Sequence, residues 1–345
     1  MPKRRDPWLD NAKTVLIVVV VVGHAVILLP AGDLRSQLYD FIYYFHIPAF
    51  VVLTGYLSRS FAWNRRHLTA LVYTLVVPYV LFEWLMANFR VLIGEVSSIE
   101  VLQPLWLNPH WPMWYLIVLV IWRLATPVLK LHWAMVPASV VVSLLAGSVN
   151  LELFDLNRAL GLLPFFVIGL HLPRAALAAA QARGTGLLGL AVLAWIWWLA
   201  GHTDDHWGTQ WLYYRAPYDE LGATFGDGVW IRLRLLGIGL AGTLALLSLV
   251  PRRRGRFTKA GYYTMGVYLL HGFVLRWAMV QGYDDWMPGD GWASVAITVT
   301  LAVALALGLA WPPLAGRLLW VVDPITTALE FRRRRRAAPR LPAPR

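Results

Sequence analysis

Three histidines lie inside apolar stretches of the chain, where an ionisable side chain is costly to place. His24 follows a run of Val, Leu and Ile residues, His46 occurs in "YFHIPAF", and His271 occurs in "VYLLHGF". An imidazole titrates near neutral pH, so it can accept a proton from a hydroxyl that attacks an electrophile. All three are therefore candidate catalytic residues.

The depth of each imidazole follows from helix geometry, if each stretch is a transmembrane helix rising about 1.5 Å per residue. Counted from the inner edge of a hydrocarbon core about 30 Å thick, His24 lies about 16 Å, His46 about 18 Å and His271 about 14 Å deep. Because isolated polar groups are unfavourable at that level, the pattern predicts one shared polar cavity.

Structural roles remain open for two of the three histidines. His46 stands two residues before Pro48 and could satisfy a carbonyl group that the proline frees. His271 could form a hydrogen bond between helices. His24 has no such local explanation, so it is predicted to do chemistry, as a general base or a nucleophile. His46 and His271 are then expected mainly to shape the cavity.

Charged residues at the opposite end of these helices are candidates for binding a polyanion. Asp10 and Lys13 stand at the start of the first apolar run, and Arg123 stands at the inner end of the fourth. Together they could hold the phosphates of a nucleotide. The structural alternative is that Lys13 and Arg123 are interfacial anchors and that Asp10 and Lys13 form a simple ion pair one helical turn apart.

The composition is that of an integral membrane protein. The chain is 58% hydrophobic and 14% charged, with a mean hydropathy of +0.55, whereas soluble domains are about 25% charged. It has no cysteine, which excludes disulfides and thiolate chemistry. The apolar runs predict an all-α fold with about ten transmembrane helices. They cover residues 14–30, 38–57, 68–88, 112–130, 133–149, 159–173, 185–201, 229–250, 262–281 and 292–321.

The charge distribution predicts the orientation. The formal net charge is +12, and the basic residues concentrate in the termini and in alternate loops, which is the pattern of cytoplasmic segments. The opposite loops contain Arg35, Arg90, Arg158 and Arg215. Both termini are therefore predicted to be cytoplasmic in a multi-pass protein of the plasma or inner membrane. The arginine-rich tail is interpreted as a topology signal in contact with anionic lipid, and no nucleic-acid partner is expected.

Three segments make up the predicted domain organisation. Residues 1–12 form a cytoplasmic N-terminal segment, 13–321 the transmembrane domain, and 322–345 a basic cytoplasmic tail. The first apolar run has no clear cleavage site, so it is interpreted as a retained helix. The longest outer segment, about 202 to 228, is interpreted as a loop. Its aromatic residues could bind sugar or form an interfacial belt. With only His202 and His206 beside two aspartates, no metal site is expected.

An ordered set of motifs resembles the acyltransferase 3 family of membrane acyltransferases, most closely its branch of fucose 4-O-acetylase-like sugar acetyltransferases. The motifs run along nearly the whole chain: "LDNAKTVLIVVVVVGHAV", "FIYYFHIPAFVVLTGYL", "LVVPYVLF", "PMWYLIVLVIWRL", "NRALGLLPFFVIG" and "YTMGVYLLH". The family has a basic residue, ten intervening residues and then a histidine on its first helix. Lys13 and His24 have this spacing, although lysine replaces the commoner arginine and Thr14 replaces a frequent glycine.

The resemblance implies transfer of an acyl group, usually acetyl, from cytoplasmic acyl-CoA to a hydroxyl, usually on a sugar or glycan of the cell envelope. It implies catalysis at His24, with the donor phosphates held by Asp10, Lys13 and Arg123. The residues expected to meet the acceptor are Glu83, Arg158, Trp114 and Tyr268. A different class of function, a transporter or flippase that uses the same cavity, remains open, although no internal repeat is visible.

Overall fold

The computed structural model describes residues 6–179, 182 and 184–337. The first five residues of the predicted N-terminal segment and the last eight of the predicted tail lie outside the described residues. Within the described ranges all regular secondary structure is helical, as the composition predicts.

Seventeen α-helices are numbered here in chain order. They are α1 Pro7–Val26, α2 Asp33–Tyr43, α3 His46–Ser58, α4 Arg65–Leu71, α5 Val77–Leu92, α6 Trp114–Leu129, α7 Met135–Ala146, α8 Leu156–Gly161, α9 Leu163–His171, α10 Arg174–Ala179, α11 Thr185–Ala200, α12 Thr203–His206, α13 Phe225–Leu249, α14 Thr264–Val280, α15 Trp292–Leu309, α16 Pro312–Val322 and α17 Pro324–Ala337.

Five helical segments among the described residues are long and apolar enough to cross a membrane, and a sixth results if the bent pair Leu153–Gly161 and Leu163–His171 counts as one span. The five are Pro7–Val26, Asp33–Ser58, Arg65–Leu92, Phe225–Leu249 and Trp292–Leu309. Four shorter apolar helices, α6, α7, α11 and α14, lie at the other predicted positions. The protein is a helical membrane protein, while the count of ten spans and the side of the termini stay predictions.

The last predicted span, residues 292–321, is not one helix. α15 ends at Leu309, and α16 begins at Pro312 after the extended residue Trp311 (φ −65°, ψ 122°). Proline lacks the amide hydrogen that a continuing helix needs and disfavours helical geometry in the residue before it. The pair Pro312–Pro313 therefore starts a new helix, which the hydropathy pattern alone did not reveal.

Helix α1 is fixed at its N-terminal end by polar contacts with the segment before α14. Asn11 Nδ2 donates to the carbonyl oxygens of Pro251 at 2.7 Å and Arg253 at 3.0 Å. The Thr14 hydroxyl lies 3.0 Å from the carbonyl oxygen of Phe257. A glycine could not make this contact, so Thr14 has its own structural role. These contacts set the height of α1, and with it the depth of His24.

Two glycines allow α3 and α9 to pack closely. A Cβ atom on Gly55 would lie 2.1 Å from the carbonyl oxygen of Phe166, and one on Gly169 would lie 2.1 Å from that of Val52. Small residues are common where membrane helices approach this closely. The contact matters for the site because α3 begins with His46 and α9 continues from the helix that carries Arg158.

Replacing Gly169 with alanine is expected to destabilise the protein, because the new methyl group meets backbone that cannot move aside. Overpacking of this kind costs about 1–3 kcal/mol. Gly237→Ala is the matched control, since a Cβ atom there meets nothing within 4 Å. Thermal unfolding of the purified variants in detergent measures the difference. Equal melting temperatures for the two variants would contradict the close contact.

Candidate active site

The structure brings the three intramembrane histidines together. His24 Nδ1 lies 2.9 Å from His271 Nε2, and the ring centroids of His24 and His46 are 6.4 Å apart. All three are buried, with His46 and His271 fully excluded from solvent and His24 5% exposed. Helices α1, α3 and α14 each contribute one imidazole at the same level of the bundle.

The hydrogen bonds around His271 define the tautomers of the pair. His271 Nδ1 lies 3.0 Å from the carbonyl oxygen of Val267. A carbonyl only accepts, so this nitrogen carries the hydrogen and Nε2 of a neutral ring is the acceptor. His24 Nδ1 must then donate to it. The remaining nitrogen, His24 Nε2, is left with a free lone pair, which is the form that a general base requires.

His46 is oriented in a similar way. Its Nδ1 donates to the carbonyl oxygen of Ile42 at 2.8 Å, at the break between α2 and α3. The bond is structural, but its acceptor is not the carbonyl that Pro48 frees, which belongs to Tyr44. Its Nε2 is buried without a hydrogen-bond partner in the described structure. His46 therefore combines a structural contact with a second free lone pair beside His24.

A cavity of about 350 Å³ opens above His24 and His46, on the side of the bundle where the long loop around residue 210 lies. Trp111 covers His24, with ring centroids 4.6 Å apart. The polar lining residues are Tyr39, Tyr43, Arg158, Gln210, Tyr213, Arg215 and Arg276. His271 does not line this cavity and lies behind His24. We call this space the histidine cavity.

Arg158 is held rigidly in the wall of the histidine cavity. Its Nη1 pairs with Asp155 at 2.9 Å, its Nε donates to the Tyr213 carbonyl oxygen at 3.2 Å, and its guanidinium carbon lies 4.3 Å from the centre of the Trp114 ring. Trp114 also lines the cavity. Two of the four residues predicted to meet the acceptor, Arg158 and Trp114, are thus on its wall.

A tyrosine pair closes another part of the wall. The hydroxyl groups of Tyr39 and Tyr213 are 2.9 Å apart. Burial raises the pKa of Tyr213 above its ordinary value, so its hydroxyl stays protonated and can donate to a ligand. Of the aromatic residues of the 202–228 loop, Tyr213 lines the cavity, whereas Trp207 donates to the Tyr44 hydroxyl and Tyr218 to the Leu144 carbonyl.

A second, smaller cavity of about 160 Å³ lies at the other end of the bundle and includes Lys13, Arg123 and Tyr268 in its lining. Lys13 Nζ pairs with Asp10 Oδ1 at 2.6 Å. Asp10 is buried and does not line the cavity, so it positions Lys13. Arg123 has no ion pair or hydrogen bond among the described residues. Two cations that face one space form a candidate anion site, which we call the lysine cavity.

Two tyrosines lie between the cavities. Tyr115 and Tyr268 both line the lysine cavity, and their ring centroids are 6.1 Å apart. The Tyr115 hydroxyl lies 2.7 Å from that of Thr54, and the Tyr268 hydroxyl donates to the carbonyl oxygen of Pro112. Tyr268, predicted as an acceptor contact, therefore faces the lysine cavity, and its ring centroid lies 6.2 Å from that of His271.

Glu83 does not line either of these two cavities. Its two carboxylate oxygens receive hydrogen bonds from the backbone amide of His110 at 2.9 Å and from His110 Nδ1 at 2.8 Å. The side chain is fully buried. This carboxylate therefore anchors the loop that carries Trp111 over His24.

Trp111 and Arg276 were not identified from the sequence, although both line the histidine cavity. Trp111 lies in an irregular loop, where no periodicity reveals which way a side chain faces. Arg276 did give a signal. It is an arginine inside the apolar run of α14, five residues after His271, and charged groups at membrane depth are functional by default.

Fold and site together define a helical membrane protein with a histidine-lined cavity inside the bundle. A sequence model of the family described as acyltransferase domain, the acyltransferase 3 family, matches residues 6–311. The chain belongs to this family and is a membrane acyltransferase. No curated protein and no solved structure matches it. The sugar-acetylating branch, the donor and the residue roles stay predictions.

Proposed function

We propose that the protein transfers an acyl group, acetyl by family resemblance, from acyl-CoA to a hydroxyl of a sugar or glycan, with His24 as the general base. The observation that carries this is the ordered chain from the Val267 carbonyl through His271 to His24. It leaves one free lone pair, on His24 Nε2, beside a cavity large enough for a sugar ring.

The proton path follows from these tautomers. His24 Nε2 takes the proton of the acceptor hydroxyl as its oxygen attacks the thioester carbonyl carbon. The carbon–sulfur bond breaks, and the imidazolium returns the proton to the departing thiolate. Products are the O-acyl ester and the free thiol, so His24 ends neutral. His271 supports the charged ring because its Nε2 accepts the hydrogen bond from Nδ1.

The donor is proposed to enter at the lysine cavity. Lys13 and Arg123 supply two positive charges there, and phosphates are the polyanion of an acyl-CoA. His24 is eleven residues further along α1 than Lys13, which is about 16 Å at helical rise. The pantetheine arm spans that length. To reach His24 it would have to pass Tyr115 and Tyr268, which line the lysine cavity.

The decisive test compares cells that express the wild-type gene, no gene, or the His24→Ala variant. Mass spectrometry of envelope glycans and secreted metabolites should detect the added mass of one acyl group, about 42 Da for acetyl. This mass should appear only in cells that express the wild-type gene. A transporter or flippase would instead change the location of an unmodified glycan. If cells without the gene fail to transport a glycan but lose no acyl group, the proposal is wrong.

The orientation is proposed to put the lysine cavity on the cytoplasmic side, where acyl-CoA is made. Because the chain has no cysteine, single cysteines report it directly. Gly255→Cys and Asp205→Cys are suitable, since both positions are exposed at opposite ends of the bundle. We expect a membrane-impermeant maleimide to label position 205 in intact cells and position 255 only after lysis. Labelling of position 255 in intact cells would reverse the donor side.

A further inference from the structure

The mouth of the histidine cavity is lined by arginines and by no acidic residue of the described ranges. Arg158, Arg215 and Arg276 contribute to the lining from three different parts of the chain. A neutral sugar needs hydroxyl-bonding groups of both kinds, donors and acceptors. Tyrosine hydroxyls and Gln210 in the wall can bond such hydroxyls, but three guanidinium groups with no carboxylate among the lining residues add a preference for an anion.

The nearest carboxylates do not neutralise these arginines. Asp155 is shared by Arg158 at 2.9 Å and by Arg215, whose Nε is 3.8 Å away. Glu95 is likewise shared, by Arg90 at 2.8 Å and by Arg276. Four guanidinium groups therefore share two carboxylates, so this wall has excess positive charge. Electrostatic attraction to an anion is stronger in such a partly enclosed space than in bulk water.

The guanidinium groups also have unused hydrogen bonds. The Arg215 contact with Asp155 is longer than a hydrogen bond, and the Arg215 side chain is 57% exposed. In the other pair, Arg276 Nε and Glu95 Oε2 are both buried without a partner. Arg158, in contrast, is held by Asp155, Tyr213 and Trp114. Arg276 Nε is enclosed by protein and cannot reach a ligand, but Arg276 bonds Glu95 through Nη1 and its Nη2 has no hydrogen bond among the described residues. Arg215 and Arg276 are thus the two lining arginines with donors left for a ligand.

We infer that the acceptor is an anionic saccharide, with a phosphate or carboxylate bound between Arg215 and Arg276 while its hydroxyl reaches His24. The inference rests on the proposed function, because it names the substrate class of that same site. The charged group of the saccharide orients the acceptor in the cavity. A bound anion fixes one end of the saccharide, so that one hydroxyl faces His24 Nε2 and regioselective acylation follows.

Direct binding tests this without requiring acyl transfer. The purified protein in nanodiscs is titrated with glucose 1-phosphate, glucuronate and methyl glucoside in the absence of acyl-CoA. We expect both anions to bind more tightly than the neutral glycoside. Arg215→Gln and Arg276→Gln should each weaken anion binding about tenfold or more, as for loss of a charge-assisted hydrogen bond, and leave glucoside binding unchanged.

Arg35→Gln is the matched control, because Arg35 is at the same end of the bundle but bonds to the Leu29 carbonyl and does not line the cavity. Equal binding of charged and neutral saccharides, or equal loss in the control, would overturn the inference while leaving acyl transfer intact. Arginine-dependent anion binding without acyl transfer from any acyl-CoA would instead refute the proposed function. The two failures are therefore distinguishable.

Discussion

His24→Ala is expected to lower acyl transfer per folded molecule by about 10²–10⁴-fold, the usual effect of removing a general base. The physical reason is the loss of the free lone pair on His24 Nε2, whose ring is oriented by the hydrogen bond from its Nδ1 to His271. Donor binding should change little, because the proposed phosphate contacts lie about 16 Å away along α1. Turnover and acyl-CoA affinity are measured on the same detergent or nanodisc sample.

The His271→Ala variant tests whether His271 positions the catalytic His24 ring or only stabilises the fold. This variant keeps His24 but removes the acceptor of its Nδ1 hydrogen. The His24 ring can then adopt the other tautomer or turn, so we expect a lower turnover with unchanged donor affinity. A merely structural role would lower the melting temperature instead. His46→Ala is expected to affect stability more than turnover, since it removes a buried side chain and its hydrogen bond to the Ile42 carbonyl.

His206→Ala is the control for loss of an imidazole, because His206 is exposed in the long loop and does not line the histidine cavity. It should retain wild-type turnover. If His24→Ala also retains it, the catalytic assignment is wrong. A transporter would then be the better explanation of the buried histidine cluster.

That the three histidines lie at one level of the bundle was predictable from the sequence, whereas their contacts were not. Helix rise is nearly constant, so counting residues from a membrane edge places His24, His46 and His271 at one level. The direction in which each imidazole ring points depends on the rotation of its helix about the helix axis and on side-chain packing. The 2.9 Å contact between His24 and His271 follows from contacts near Asn11 and Thr14, which hold α1 against a distant segment.

Loops were the least predictable part of the site. Glu83 and His110 are 27 residues apart, and their pairing has no periodic signal. The sequence predicted an acceptor contact for Glu83, but not that its carboxylate accepts from the backbone amide and the imidazole of His110. In the same way the α15–α16 break depends on Pro312, which a hydropathy average over a long window does not register.

Lys13→Ala is expected to weaken acyl-CoA binding about 10- to 150-fold, which corresponds to losing a charge-assisted contact of about 1.5–3 kcal/mol. Lys13→Arg should retain much of the affinity because the charge survives, although the planar guanidinium bonds phosphate with a different geometry. Binding is measured by calorimetry with acyl-CoA. The maximal turnover should fall less than the affinity, because His24 and its hydrogen bond are untouched.

Asp10 complicates this variant, because its buried carboxylate loses its only ion-pair partner among the described residues. An unpaired buried charge destabilises the fold, so affinity must be referred to folded protein. The double variant Asp10→Asn/Lys13→Ala removes both charges and should bind donor as poorly as Lys13→Ala, with its stability restored. Lys259→Ala removes the same charge at the same end without touching the lysine cavity. If donor affinity falls equally in Lys259→Ala, Lys13 contributes only as a general surface charge. If donor affinity is unchanged in Lys13→Ala, Lys13 is a lipid anchor and not a donor contact.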